Sequence, residues 1–373
     1  MVKIKIGDVC EILNGYAFKS DKYVDDGIRI IRIANVQKGK IEDNVPAFYP
    51  IHSEGIDKYM LEEGDLLMSL TGNVGRVAVL EKEFLPAALN QRVACLRLKN
   101  KKISKGFLFH VLNSDFFEQQ CIQNSKGVAQ KNMSTEWLKE FEIPLYSIEE
   151  QTKITEILDK IRNIIAKRND EFEKLDDLIK ARFVEMFGDP VANDKGWKTK
   201  PLLDMGKCKN GMNFHYDDSG VEISCLGVGD FKDLSVIDNV KKLSIVSLNE
   251  MPSEEYLLKD GDIVFVRSNG NKDLVGRSLA IYPGNLPTTF SGFCIRYRIH
   301  DDEITVPYLL RVLKMESMRK KMAGRGANIQ NLNQQILGTL VIPVPPIELQ
   351  NQFADFVRAI DKSKLYITYK NST

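Results

Sequence analysis

The sequence predicts an α/β (α+β) protein built as a pseudo-two-fold internal repeat. Two tandem domains with twisted β-sheets are separated by an antiparallel pair of long amphipathic helices. The second half repeats the first in order, and each copy begins with short strand-like runs. Each copy also ends at the same Ile-Pro…Glu-x-Gln junction before a helical pattern. At 373 residues the chain has about twice the usual length of one domain, which fits two copies.

The repeat is recognised from matched segments that keep their order. The junction "IPLYSIEEQTKI" at 143–154 recurs as "IPVPPIELQNQF" at 342–353, which is 199 residues later, and "CLRL" at 95–98 faces "CIRY" at 294–297 with the same spacing. Further matches differ slightly in spacing, as loop insertions would produce: 14–18 with 210–214, 64–65 with 261–262, 75–76 with 276–277, and 85–86 with 286–287. Chance similarity is the alternative, and the ordered series disfavours it.

Each copy shows strands first and a helix afterwards. Short runs rich in Val, Ile and Leu, bounded by Gly, Asn and Asp, predict strands. These runs are 29–36, 65–70, 76–80 and 92–98 in the first copy, and 262–267, 277–282 and 293–299 in the second. Apolar residues spaced by three and four then predict one helix over 107–121 and its counterpart over 306–322.

The two junctions introduce longer helices. After Glu149 the apolar positions continue without Gly or Pro, which predicts one helix ending at Phe187 before "GDP". Such a helix spans roughly 55 to 60 Å, too long for one small globule to bury, so we expect a second helix alongside it. The segment after Pro346 supplies that helix, and two independent surface helices are the alternative. The predicted divisions are a first domain at 1–147, a spacer helix at 148–187, a second domain at 188–345 and a short distal helix at 346–373.

Composition excludes several classes of protein. No apolar run approaches the roughly 18 to 20 residues that a membrane span requires, and the N-terminus lacks the pattern of a signal peptide, so we expect a cytoplasmic protein. Six cysteines without a CxxC motif and four scattered histidines argue against a zinc module and a disulfide framework. A net charge of +1 neither demands nor forbids a nucleic-acid partner.

Catalytic signatures of DNA-modifying enzymes are missing. The chain has no Asn/Asp-Pro-Pro-Tyr/Phe tetrapeptide of amino-methyltransferases. "GNKDLVGRS" at 270–278 resembles a phosphate-binding loop, but it has five residues between its glycines and Arg277 where lysine is required. The tripeptide "DFK" at 230–232 is too short to indicate a metal nuclease. We therefore expect neither a catalytic residue nor a metal site in this chain.

The order of globule, junction, long helix, globule, junction and helix resembles the specificity (S) subunit of type I restriction–modification systems. The likeness covers essentially the whole chain and includes the "MFGDP" exit at 186–190 followed by Gly196 and Trp197. It implies that each globule is a target recognition domain reading one half of a bipartite double-stranded DNA site. It also implies that the helices set the spacing and dock two methyltransferase (M) subunits, and that restriction (R) subunits join this core.

The resemblance further implies a non-catalytic subunit without a cofactor of its own. S-adenosylmethionine belongs to the M subunits, and ATP with Mg belongs to an R subunit where one is present. One departure from the family concerns the second helix, which has at most 27 residues from Ile347 against 39 from Glu149 to Phe187. The alternative function is a duplicated protein-interaction scaffold with a helical dimerisation arm and no sequence-specific DNA binding.

Candidate DNA contacts lie in loops that carry Gly, amide and basic side chains at corresponding places, namely 69–76 with 266–277, 89–93, and 125–132 with 324–331. Arg and Lys pair with guanine or phosphate, and Asn and Gln pair with adenine. Ordinary polar turns are the alternative. The predicted DNA-binding residues are Arg32, Asn35, Thr71, Asn73, Arg76, Gln91, Arg92, Lys126, Gln130, Lys131, Arg267, Asn269, Asn271, Lys272, Arg277, Arg325, Asn328 and Gln330.

Candidate contacts to partner subunits lie at the helix junctions. A glutamate near a helix start suits the helix dipole, and the following glutamine either caps the helix or touches a partner. The predicted partner-binding residues are Glu149, Gln151, Ile154, Ile161, Glu348, Gln350 and Phe353. Arg97 and Arg296 match at the repeat spacing within strands, and they are either structural or phosphate contacts.

Overall fold

The computed structural model describes residues 2–125, 132–214, 219–231, 235–323 and 331–369, with side chains as far as residue 364. The chain divides into two compact units, Met1–Arg168 and Asn169–Thr373. Each unit combines sheets with short helices and includes part of one long helix. The predicted mixed α/β architecture with two tandem domains is therefore confirmed.

The first unit contains a four-stranded antiparallel sheet of order β2-β10-β7-β8 and a three-stranded sheet of order β6-β3-β9 in which β3 and β9 are parallel. Its strands are β1 Lys3–Lys5, β2 Cys10–Asn14, β3 Ile28–Ile31, β4 Val36–Gln37, β5 Lys40–Ile41, β6 Phe48–Tyr49, β7 Leu66–Ser69, β8 Val77–Val79, β9 Ala87–Leu89, β10 Val93–Leu98 and β11 Glu142–Pro144. Its helices are α1 Ile6–Val9, α2 Lys105–Leu112, α3 Asp115–Gln123, α4 Thr135–Glu140 and the first half of α5 Ile148–Phe187.

The second unit repeats this plan with a central sheet of order β13-β20-β17-β18-β15 and a three-stranded sheet of order β16-β14-β19. Its strands are β12 Thr199–Pro201, β13 Gly206–Asn210, β14 Val221–Leu226, β15 Val236–Ile237, β16 Ser244–Leu248, β17 Asp262–Val266, β18 Ser278–Ile281, β19 Thr288–Phe290, β20 Cys294–Ile299 and β21 Val341–Pro343. Its helices are α6 Leu202–Met205, α7 Val306–Lys314, α8 Glu316–Ala323, α9 Gln334–Gly338 and α10 Ile347–Tyr369.

Strand register corrects one of the matches between the copies. Ala94 of β10 lies opposite Asn14 of β2, and Ile295 of β20 lies opposite Asn210 of β13. Ala94 therefore corresponds to Ile295, 201 residues later, and Cys95 corresponds to Arg296. The predicted match of 95–98 with 294–297 is wrong by two residues, because a shared Cys-x-Arg pattern was aligned across a two-residue loop difference.

The corrected register reveals a matched ion pair. In the first unit Arg97 Nε and Nη2 donate to the two carboxylate oxygens of Asp65 at 2.9 and 2.7 Å. In the second unit it is Arg298, not Arg296, that makes the same two bonds, to Asp262 at 2.7 Å each. The bonded carboxylate raises the pKa of both guanidinium groups. Both arginines hold the central sheet through these paired bonds.

Replacing Arg298 by lysine is expected to lower the free energy of unfolding by about 1 to 2 kcal/mol, because an ammonium group cannot form the two parallel bonds to Asp262. Urea denaturation of the full chain measures the change. Arg358→Lys is the matched control, since Arg358 pairs with Asp355 on an exposed helix surface and the expected change there is under about 0.5 kcal/mol. Equal effects of the two substitutions would contradict a structural role for the Asp262 pair.

The predicted helix over 107–121 is broken in the structure. α2 ends at Leu112, and Ser114 caps the start of α3 by accepting a hydrogen bond from Phe117 N at 3.2 Å. The counterpart over 306–322 likewise divides into α7 and α8 at Met315. The strand predicted over 29–36 is also too long, because Asn35 N bonds to Arg32 O in a turn that follows β3. The spacing of apolar residues does not reveal these caps and turns.

The long helix α5 has defined ends. At its start Ser147 and Glu150 form a capping box, in which Ser147 N donates to Glu150 at 2.9 Å and Glu150 N donates to Ser147 Oγ at 3.2 Å. At its end Gly188 takes a φ of +76°, and the Trp197 indole donates to Phe187 O at 3.0 Å. The prediction of one unbroken helix ending at Phe187 is confirmed.

The distal helix α10 packs on the second half of α5 within the second unit. Phe353 contacts Phe183 and Phe187 with ring centroids 5.4 and 5.7 Å apart. Eleven residues further along α10, Lys364 pairs with Asp176 of α5 at 2.5 Å. The contacts therefore run in opposite directions along the two helices. This antiparallel pairing is the predicted one, and the described side chains of α10 reach only the C-terminal part of α5.

Candidate nucleic-acid interface

In the first unit, described residues of the first two predicted loop regions and at the end of the third are joined by hydrogen bonds at one end of the central sheet. Leu70 follows β7, and its N–H donates to Arg92 O, which precedes β10, at 3.0 Å. Met133 N donates back to Leu70 O at 2.8 Å, and Thr71 Oγ1 bonds to Asn132 Oδ1 at 2.8 Å. Segments that lie far apart in sequence are therefore fixed next to one another.

The second unit joins the corresponding segments through equivalent backbone atoms. Arg267 N donates to Phe293 O at 2.7 Å, and Leu332 N donates to Arg267 O at 2.8 Å. Arg267 thus takes the place of Leu70, Phe293 that of Arg92, and Leu332 that of Met133. The two copies present the same backbone frame with different side chains on it.

A glycine turn lies next to this frame in both units and explains the repeated Asn-Gly-x-x-Phe motif. A Cβ atom on Gly15 would lie 2.1 Å from Asn90 O, and one on Gly211 would lie 2.1 Å from Ser291 O. Only glycine allows the two chain segments to approach so closely. Both motifs therefore hold the loop before β10 or β20 in place.

The loop after β17 is longer than the loop after β7, as predicted from the spacing of the matches. The extra residues form a short 3-10 helix, Lys272–Leu274, whose start is capped by Asn271 Oδ1 accepting from Asp273 N at 3.0 Å. Asn269 Oδ1 in turn accepts from Asn271 N at 2.8 Å. The second unit thereby displays Asn271 and Lys272 on an ordered projection that the first unit lacks.

The predicted DNA-binding residues differ in accessibility. The half-buried arginines Arg32, Arg76, Arg267 and Arg277 keep their guanidinium groups near backbone or amide oxygens, including Val45 O, Gln37 Oε1, Gly292 O and Phe231 O, respectively. Asn269 is also half-buried. The exposed candidates are Asn73, Gln91, Arg92, Asn271 and Lys272.

Two predicted DNA contacts lie inside the protein. The Asn35 amide accepts from Arg32 N at 2.9 Å and donates to Glu42 O at 3.0 Å, and its side chain is buried. Thr71 is buried in its bond to Asn132. Both side chains fix the shape of loops, and their hydrogen-bonding atoms are already used. Six further candidates lie outside the described residues: Lys126, Gln130, Lys131, Arg325, Asn328 and Gln330.

Arg296 is likewise structural. It lies in β20 with 6% of its surface exposed, and its Nη1 donates to Glu255 O at 3.2 Å. Burial lowers its pKa.

The junction glutamines are internal clamps in both units. Gln151 is fully buried; it accepts from Ser104 N and donates to Lys102 O, each at 2.8 Å, and donates to Tyr146 O at 2.9 Å. Gln350 makes the same three kinds of bond in the second unit, to Thr305 N, Glu303 O and Pro345 O at 2.8 Å each. Gln151 thereby joins the first turn of α5 to the loop before α2, and Gln350 joins the first turn of α10 to the loop before α7.

The other predicted partner contacts vary in exposure. Phe353 is buried against α5, and Ile154 packs in part against the core of the first unit. Glu149, Ile161 and Glu348 are exposed. The apolar neighbours of Ile161, whose helical spacing indicates one face in the sequence, are not among the predicted partner contacts. These exposed apolar residues of α5 are Ile157, Leu158, Ile164 and Ile165.

Comparison with known proteins identifies the family. A model of the type I restriction modification DNA specificity domain matches residues 1–174 and again residues 194–371. The chain belongs to this family. The two matches coincide with the two copies of the repeat, so each unit carries its own specificity domain.

Two curated relatives extend over both specificity domains, and a third matches less than half of the chain. The type I restriction enzyme StySPI specificity subunit of Salmonella potsdam is 25% identical and covers 97% of this chain and 81% of its own. The EcoKI specificity subunit of Escherichia coli is 22% identical over the same shares of both chains. The MjaVIII specificity subunit of Methanocaldococcus jannaschii is 31% identical over 46% of this chain and 42% of its own.

A solved structure supports the fold of this type I specificity protein. The crystal structure of a type I restriction–modification S subunit from M. genitalium aligns with a TM-score of 0.53, 16% sequence identity, and coverage of 100% of this chain and 92% of that chain. At this identity the likeness concerns the fold alone. Among the described residues no helix is long and apolar enough to cross a membrane, and no group of His, Cys, Asp or Glu is arranged to hold a metal ion.

Proposed function

We propose that this chain is the non-catalytic subunit that reads a bipartite DNA sequence for a type I restriction–modification complex. One observation carries the proposal: the two units hold equivalent loops in one backbone frame but display different side chains from it. A repeated frame suits two half-sites of one duplex, and divergent side chains suit half-sites of different sequence. Family membership favours this role over a protein-interaction scaffold.

The proposed DNA-reading surface consists of the exposed loop ends beside β7 and β10 in the first unit and beside β17 and β20 in the second. In the first unit Gln91, Arg92 and Asn73 supply an amide, a guanidinium and a second amide. In the second unit Asn271 and Lys272 project on the short 3-10 helix. Amide side chains pair with adenine, and Arg and Lys pair with guanine or phosphate.

The proposed surface for a methyltransferase subunit is the apolar stripe on the first half of α5, formed by Ile157, Ile161, Ile164 and Ile165. These side chains are 47% to 57% exposed, which is unusual for four large aliphatic groups on one helix face. Lysines at seven-residue spacing, Lys153, Lys160 and Lys167, follow one edge of the stripe. The stripe therefore suits a partner helix with an apolar face and an acidic edge.

We propose that the catalytic reactions are carried out by the partner subunits. Methyl transfer from S-adenosylmethionine belongs to two M subunits, and ATP-dependent activity with Mg belongs to R subunits where they are present. The long helix α5, which begins in one unit and ends in the other, then acts as the spacer between the two half-sites.

Exchanging residues 1–147 for the equivalent segment of a related specificity subunit is expected to change one half of the methylated sequence and leave the other half intact. The reason is that each unit carries a complete loop frame of its own. The measurement is sequencing of methylated positions in DNA treated with the complex of this chain and its M subunits. Methylation at the original full sequence after the exchange would contradict the proposal. A scaffold without DNA specificity would instead show no sequence preference at moderate salt, where phosphate contacts weaken.

A further inference from the structure

We propose that Phe293 is a specificity-determining residue that places its ring against the methyl group of a thymine in the half-site read by the second unit. This inference rests on the proposed function and names an apolar contact to a base. It concerns an aromatic side chain at the centre of the loop frame.

Phe293 combines an exposed ring with a fixed backbone. Its side chain is 60% exposed. Its N–H donates to Ser291 Oγ at 3.3 Å, and its carbonyl accepts from Arg267 N at 2.7 Å and from Ser268 N at 3.4 Å. A large apolar side chain held in water on a rigid support loses little conformational freedom on binding, which is the property of a recognition residue.

Phe293 occupies the position that Arg92 occupies in the first unit. Arg92 O accepts from Leu70 N at 3.0 Å, just as Phe293 O accepts from Arg267 N. The preceding residues are also equivalent, because Gln91 N donates to Tyr16 O and Gly292 N donates to the matching carbonyl of Met212. The backbone frame is thus the same on both sides of the position.

The exposed side chains at this position are polar in the first unit and apolar in the second. The first unit presents the amide of Gln91 and the guanidinium of Arg92, which suit the polar edges of adenine and guanine. The second unit presents no side chain at Gly292 and a hydrocarbon ring at Phe293. The thymine methyl is the one apolar group that a base pair displays in the major groove, and phenylalanine is among its known partners.

The test uses the complex of this chain with its M subunits and DNA in which deoxyuridine replaces thymine, one position at a time, in the second half-site. Deoxyuridine differs from thymidine only by the missing methyl group. We expect one replacement to weaken binding by the wild-type complex about fivefold, the effect of losing one buried methyl contact. The Phe293→Ala complex is expected to bind both DNAs equally and to tolerate other base pairs at that position, whereas Phe293→Leu retains part of the discrimination.

Arg92→Ala is the matched control and is expected to alter the first half-site only. The proposal for Phe293 is overturned if Phe293→Ala keeps both the wild-type sequence preference and the wild-type response to deoxyuridine, or if the second half-site contains no A·T pair. In those cases the wild-type complex would still methylate a bipartite sequence. Failure of the proposed function is a different result, namely methylation by the wild-type complex without any bipartite preference.

Discussion

Replacing Ile161 and Ile164 together by glutamate is expected to abolish assembly with the M subunits and with it all methylation. Both side chains lie exposed on the apolar stripe of α5, so the substitution leaves the core of the first unit untouched. Two carboxylates facing an apolar partner surface would be desolvated without a counter-charge, which costs several kcal/mol in binding. Analytical size-exclusion chromatography with multi-angle light scattering on the mixed subunits reports assembly directly.

Asn163→Glu is the matched control for this helix. Asn163 is exposed on α5, and helical spacing places it on the side opposite the centre of the stripe. The control chain is expected to assemble and methylate as the wild type does. Assembly of the Ile161/Ile164 double variant at wild-type affinity would show that the stripe is not the surface that binds the M subunits. Unchanged circular dichroism and melting temperature of the free chain establish that the double variant is folded.

Replacing Gln350 by leucine is expected to lower the free energy of unfolding by about 3 kcal/mol. The substitution keeps the volume of the side chain but removes four hydrogen bonds, and it leaves Thr305 N and Oγ1, Glu303 O and Pro345 O without that partner around a buried side chain. Each unsatisfied buried group costs about 1 to 3 kcal/mol, partly offset by apolar burial of the new side chain. Urea denaturation of the full chain measures the loss.

The repeat provides a second test of the same contact. Gln151→Leu is expected to destabilise the first unit by a similar amount, since its three bonds match the three main-chain bonds of Gln350. Gln352→Leu is the control, because Gln352 is exposed on the same helix as Gln350. If Gln350→Leu lowered the free energy of unfolding no more than Gln352→Leu does, the buried glutamine would not stabilise the junction between globule and helix.

Local patterns predicted the architecture well. The helix from residue 148 to Phe187 was predictable because its apolar spacing is uninterrupted and a glycine follows its last residue. Both signals depend only on residues that are close in sequence, and the structure contains the predicted helix. The match of Asp65 with Asp262 also holds, since each carboxylate binds an arginine of the adjacent strand. Strand cores such as β7 and β17 were correct to within one or two residues.

The tertiary surroundings of the site residues could not be predicted from the sequence. The sequence shows Gln151 and Gln350 as polar residues on a helix start, and only the fold shows that loops from another part of each unit surround them. Asn35 is likewise of a residue type that pairs with adenine, but its amide forms hydrogen bonds inside a turn. The equivalence of Arg92 and Phe293 depends on the strand register, because the sequence match of 95–98 with 294–297 is two residues out of register.

The glutamine clamp also bears on how such a protein can change in evolution. Apart from one hydrogen bond from the Thr305 hydroxyl, all bonds of Gln151 and Gln350 go to main-chain atoms. The residues that supply these atoms differ between the units: they are Ser104, Lys102 and Tyr146 in the first and Thr305, Glu303 and Pro345 in the second. A junction that is secured through the main chain is insensitive to the side chains of the globule it joins. Recombination at this point can therefore attach a globule of new sequence to an old helix in the same orientation, and a new specificity arises from one crossover without redesign of the joint.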